Sequence, residues 1–143
     1  MIDKVLIEKK LRKIEDLLRE LKSAHIGSFD EFKADTVVKR FVERNIELAV
    51  EQMVDVCKHF VSRLDLKEPE TYAECFVRLA QAGVIPEEVV QTFQSMTRFR
   101  NMLIHIYDDV DDAVTYGVYA GRLEDFVLFV GTIREYLRRE QKS

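Results

Sequence analysis

The sequence predicts an all-α protein, a bundle of about five helices, and three observations carry that prediction. Apolar residues recur at spacings of three and four along most of the chain. Glycine and proline are scarce, five and two in 143 residues. No stretch alternates apolar and polar residues between hairpin turns. The length suits one domain spanning 1–143, with enough chain to bury a single core.

Over residues 3–24, Ile7, Leu11, Ile14, Leu18 and Leu21 form one stripe, with Lys, Arg and Glu on the remaining faces. Gly27 follows, and Ser28 or Asp30 can cap a new start, so the first helix should stop near Ala24 and another begin soon after. Over 35–62, Val38, Val42, Ile46, Ala49, Met53, Val56 and Phe60 make a stripe that Phe41, Val50, Val54, Cys57 and Val61 widen. So broad an apolar face belongs at the centre of a bundle.

Residues 65–69 break the pattern, and Pro69 suits the first turn of a third, short helix carrying Tyr72, Phe76, Leu79 and Ala80. Gly83 supplies its stop. Pro86, Glu87 and Glu88 then open a fourth helix in both geometry and charge, running to about Tyr107. Asp111 or Asp112 can cap the last helix, which holds Val114, Val118, Leu123, Phe126, Val127, Val130, Ile133 and Leu137. Gly117, Gly121 and Gly131 argue against its being straight.

Composition narrows the function classes. No apolar run approaches the roughly 20 residues that span a bilayer, and the start, MIDKVLIEKKLRK, mixes charge with apolar residues, so a cytoplasmic protein away from the membrane is expected. The net charge of -4 opposes broad, non-specific polyanion binding. Cys57 and Cys75 have neither the spacing of a zinc or redox motif nor the density of a disulfide scaffold, and read as buried thiols.

One residue breaks the fourth stripe. Val89, Phe93 and Met96 lead to Arg100, then Leu103 and Tyr107. A guanidinium on an apolar face needs an acid, a bound anion, or a cleft reached by water and substrate. The plain structural reading is a salt bridge to a Glu or Asp. His105 lies one turn beyond Asn101 and one turn before Asp108 and Asp109, so polar groups converge here. Arg100 and His105 stand about 140° apart around the helix, so a tight constellation would need a two-fold axis to bring two copies together.

Arg100, His105 and Tyr107, embedded in RFRNMLIHIYDDVD with Asn101 after the arginine and Asp111 after Val110, resemble the motif of HEPN-domain ribonuclease toxins of the HepT group. The resemblance implies a HEPN-like bundle that dimerises, both copies of Arg100 and His105 facing a shared cleft where RNA is cut with no metal ion or other cofactor. It also implies a nucleotidyltransferase antitoxin, MntA, that adenylylates the matching tyrosine, here Tyr107. Transfer RNA is a target by resemblance only.

The chemistry is physically sound. An arginine fork can clamp a phosphate and stabilise added negative charge, a histidine titrating near neutrality can pass protons, and RNA brings its own nucleophile, the adjacent ribose hydroxyl. Asn101 would orient one of the pair by hydrogen bonding. Adenylylation of Tyr107 would set bulk and negative charge beside the phosphate site.

Other polar residues have plainer readings beside functional ones. His25 and His59 lack a second ligand at metal spacing and read as surface or capping groups. Arg40 and Arg44, one turn apart, form either a basic rim for RNA or solvated ion pairs. Arg98 points away from Arg100 yet can reach a wide cleft. The run Asp108, Asp109, Asp111 and Asp112 lacks the glycine and terminal glutamate of a calcium loop and reads as a helix end and cap. The basic stretch 134–142 reads as a solvated tail. Two other functions compete: a non-catalytic subunit that docks a nucleotidyltransferase and presents substrate to it, and a structural dimerisation module. The second predicts Arg100 and His105 buried against acids with no groove nearby.

Overall fold

The computed structural model describes residues 2–105 and 111–141, the side chain of His105 excepted. They form seven α-helices and one 3₁₀ turn: α1 (Lys4–Ser23), α2 (Phe29–Ala34), α3 (Thr36–Arg63), α4 (Tyr72–Gln81), the turn Glu87–Val89, α5 (Val90–His105), α6 (Asp112–Gly121) and α7 (Glu124–Gln141). The all-α class holds. The helix count exceeds five for two reasons: a short α2 stands apart from α3, and the last helix is two.

Capping explains where the helices begin. The carboxylates of Asp3, Asp35 and Asp111 and the hydroxyls of Ser28 and Thr71 accept first-turn backbone N–H groups of α1, α3, α6, α2 and α4 respectively. Asp35 also ends α2, so one extended residue separates that helix from α3. At the far end of the chain, Gly117 and Gly131 sit inside helices and only the step after Gly121 breaks. There the N–H of Arg122 donates to the Val118 carbonyl, and Leu123 turns into the core before α7 starts.

Two C-termini close by the same device. After α4, Gly83 adopts φ 77° while its N–H donates to the Ala80 carbonyl and that of Val84 to the Leu79 carbonyl. After α3, Asp65 takes the equivalent place at φ 54°, with Leu66 donating to Val61 at 2.9 Å and Asp65 to Ser62 at 3.4 Å.

The long α3 is central, packing against α1, α2, α4, α5 and α6. Its predicted apolar stripe is buried from Val42 through Phe60. Phe76 of α4, Phe93 of α5 and Phe129 of α7 meet with ring centroids 5.2 to 6.3 Å apart. Each such pair adds about 0.5–1.5 kcal/mol beyond the burial of its area. This cluster fixes α4 and α5 relative to each other, and the candidate site lies between them.

Polar ties run along the antiparallel α1 and α3. Asp3 N–H donates to His59 Nε2 at 3.0 Å, Lys10 Nζ to Asp55 at 3.4 Å, and buried Asn45 Nδ2 to Glu20 at 3.0 Å. Arg134 departs from the solvated-tail reading. Its guanidinium reaches across from α7 to α1, donating to Glu8 at 2.6 Å and to Glu15 at 2.8 Å. That arginine holds the Glu15 carboxyl below its usual range, against the opposing effect of burial.

The cysteine reading is corrected. Cys57 and Cys75 are buried as expected, but they are joined in a disulfide, with Cα atoms 6.3 Å apart. Packing of α4 on α3 brings together two residues separated by 18 positions, and no local spacing announces that meeting.

Candidate active site

Arg100 follows Phe93, Met96 and Thr97 along the inner face of α5, and all three of those residues are buried. Its side chain retains only 16% exposure. The stem runs over packed surface while the guanidinium emerges where α3, the start of α4 and α5 meet.

Three groups surround that guanidinium. Nη2 donates to Glu51 Oε1 of α3 at 3.3 Å, and Nη1 donates to Asn101 Oδ1 at 3.4 Å. Its carbon lies 5.4 Å from the ring centroid of Tyr72, the first residue of α4. Both hydrogen bonds are long, and Nε is buried without an acceptor among the described residues. A buried donor left unmade costs about 1–3 kcal/mol, which an incoming oxyanion would relieve.

Arg100 borders a groove of about 650 Å³ lined also by Asn101, Ile104, Thr71, Tyr72 and Lys58. A smaller recess of about 180 Å³ places Glu51, Asp55 and Lys58 around the same arginine and tyrosine. Lys58 Nζ sits 4.8 Å from the Tyr72 centroid, so two cations share one ring. The disulfide anchors this arrangement: Cys57 precedes Lys58 directly, and Cys75 lies one turn beyond Tyr72.

Of the residues singled out by sequence, Arg100 and Asn101 come together in the groove. The acid expected as a structural partner for Arg100 is Glu51, yet the open groove beside it departs from the sealed environment a purely structural module predicts. His105 is the last residue of α5, and its side chain lies outside the described residues. Tyr107, Asp108 and Asp109 also lie outside them. Arg98 is exposed on α5, as its offset from Arg100 requires.

Arg40 and Arg44 are exposed near the start of α3, about 16 and 10 Å of helical rise from Glu51. Arg44 pairs with Glu47 at 3.0 Å, the ordinary ion-pair reading. His59 is a capping group, accepting from Asp3 N–H, and its pKa is pushed down by burial and by Arg63. His25 is exposed at φ 48°. Asp111 caps α6, as expected of that acidic run. No cluster of three or more metal-ligating side chains occurs among the described residues, and none of their helices is long and apolar enough to cross a membrane.

Sequence reasoning missed Glu51, Lys58 and Tyr72. A faint signal existed: Glu51, Asp55 and Lys58 follow at spacings of four and three, a polar stripe along the edge of a largely apolar helix. Tyr72 gave none, because an aromatic in a short amphipathic helix reads as core.

Comparison with known proteins agrees with this architecture. The tRNA nuclease HepT of Aphanizomenon flos-aquae is 27% identical over 136 residues, covering 95% of this chain and 92% of that protein. The mRNA nuclease HepT of Shewanella oneidensis is 24% identical over 129 residues, covering 90% and 96%. Among solved structures, the tri-AMPylated Shewanella oneidensis HEPN toxin in complex with MNT antitoxin superposes with a TM-score of 0.83 at 24% identity, covering 94% of this chain and 99% of that one. YutE of Bacillus subtilis, a cytosolic protein of unknown function, matches with a TM-score of 0.82 at 19% identity, covering 97% and 93%. These structural likenesses fix the fold as HEPN-like. The profile described as Ribonuclease HepT-like matches residues 7–133, which contain α5 and its groove, and the chain belongs to that family.

Proposed function

We propose that this chain is a metal-independent endoribonuclease toxin that acts as a homodimer, two copies of Arg100 and His105 facing a common cleft. The observation that carries the reading is the state of Arg100. It is largely buried, loosely held by Glu51 and Asn101, has an Nε–H with no acceptor among the described residues, and borders an open groove. A guanidinium whose role was structural would be fully bonded. One with spare donors at a groove is equipped for a phosphate.

In the reaction, Arg100 clamps the scissile phosphate and Asn101 steadies the clamp. The ribose 2′-oxygen attacks phosphorus, the bond to the 5′-oxygen breaks, one proton leaves the 2′-hydroxyl and one reaches the departing oxygen. His105 carries one of these protons. Exposed Arg98, Arg40 and Arg44 supply weaker phosphate contacts along the strand.

Control falls to a nucleotidyltransferase antitoxin that adenylylates Tyr107, adding bulk and negative charge that would oppose RNA binding. An AMPylated relative of the same fold, bound to its antitoxin, supports this part of the reading. We take transfer RNA as the target, as in the relative from Aphanizomenon flos-aquae.

Expression of the chain alone should arrest host growth, and Arg100→Ala or His105→Ala should each restore it while the protein remains folded by circular dichroism. Toxicity surviving both substitutions would defeat the reading. Sequencing of the newly formed RNA ends identifies the target. Co-expression with a nucleotidyltransferase antitoxin should add whole adenylate increments to Tyr107 by mass spectrometry.

A further inference from the structure

Lys58 lines the groove, and among the described residues it has no acidic partner. The nearest sequence candidates are engaged elsewhere: Asp55 pairs with Lys10 at 3.4 Å and Glu51 with Arg100 at 3.3 Å. No carboxylate of the described residues lies within 4.0 Å of its Nζ, which rests on the Tyr72 ring at 4.8 Å. A cation on an aromatic face, with no carboxylate of the described residues within ion-pair distance, remains available to an anion.

Tyr72 therefore joins two cations. It lies under both the Lys58 ammonium and the Arg100 guanidinium, and it is itself fixed by the Thr71 cap and by the Cys57–Cys75 disulfide one turn on. Glu68 and Glu70 line the same groove and are exposed. They would repel a polyanion, and Lys58 and Arg100 are the two cations of the groove lining that oppose that repulsion.

We propose that Lys58 contacts a second backbone phosphate of the RNA and that Tyr72 is the positioning residue that holds Lys58 and Arg100 on one ring. This rests on the reading of Arg100 as the clamp on the scissile phosphate. Lys58 supplies binding shared by ground and transition states, so its loss acts on KM. Tyr72 aims Arg100, so its loss acts on kcat.

The test uses purified full-length protein, total RNA from the expression host as probe, and a salt series. Lys58→Gln should raise the apparent KM about fivefold at unchanged kcat and shallow the salt dependence of binding by about 0.7, the contribution of one phosphate on a single strand. Tyr72→Leu should lower kcat about tenfold, and Tyr72→Phe, which keeps the ring, should restore it. A Lys58→Gln protein with unaltered KM and salt slope, or a folded Tyr72→Leu protein with unaltered kcat, would overturn the proposal. If Tyr72→Leu does not fold, Tyr72→His replaces it, and the same comparison with Tyr72→Phe decides. Arg100→Ala separates the two readings: full activity in that variant sinks the phosphate clamp and this proposal together. Loss of activity there, with no effect at Lys58 and Tyr72, sinks the proposal alone.

Discussion

Glu51 Oε1 accepts from Arg100 Nη2 at 3.3 Å, a contact that spans α3 and α5 and sets the direction in which the guanidinium faces. Both side chains are partly exposed, so water screens the pair and its share of stability is small, about 1 kcal/mol or less. Its larger effect is geometric. Glu51→Gln keeps the shape and one acceptor but removes the charge, and it should lower RNA cleavage about fivefold with little change in melting temperature. A folded Glu51→Gln protein that cleaves at the normal rate would remove Glu51 from the site.

The order of helices could be read in the sequence because stripes, caps and stops are local features. Gly83 and Pro86 marked a real boundary, and Asp111 a real cap. What escaped was set by contacts between distant segments. The break after Gly121 depends on Leu123 finding the core, and the disulfide depends on α4 lying across α3. For the site, Arg100 announced itself as a charge on an apolar stripe. Glu51, Lys58 and Tyr72 become its neighbours only through the meeting of three helices.

The disulfide should matter to stability. Closing a loop of 18 residues restricts the unfolded chain by about 3 kcal/mol in the chain-entropy treatment. Cys75→Ala should therefore lower the unfolding free energy by roughly that amount, and a thiol reductant should bring the wild-type urea midpoint toward the mutant's. Coincident midpoints with and without reductant, in a protein whose thiols are verified as titrating, would show that the bond adds nothing.

His59 should make stability depend on pH. Its Nε2 accepts from Asp3 N–H, which requires the neutral ring, and burial with Arg63 holds its pKa below the ordinary 6.5. A depressed folded pKa means that the stabilisation is complete above 6.5 and is lost as pH falls through the lower folded value. Thermal melts between about pH 7.5 and 5 should show this decline, and His59→Gln should flatten it. Parallel curves for the two proteins would assign the decline to other groups.

Asp65 closes α3 at φ 54°, where a side chain is strained and glycine is not. Asp65→Gly should raise stability by about 0.5–1 kcal/mol, the relief of strain exceeding the added freedom of the unfolded chain. The check is the denaturant midpoint at constant slope. A lower midpoint would mean that the aspartate side chain contributes more than its backbone costs.

The three polar ties between α1 and α3 work together as a ruler. Asp3 meets His59, Lys10 meets Asp55, and Glu20 meets Asn45, at successive depths along two antiparallel rods. Sliding one rod by a single turn, about 5.4 Å, would strand all three partners at once. The spaced polar contacts add to the packing a set of fixed marks that favour the observed alignment.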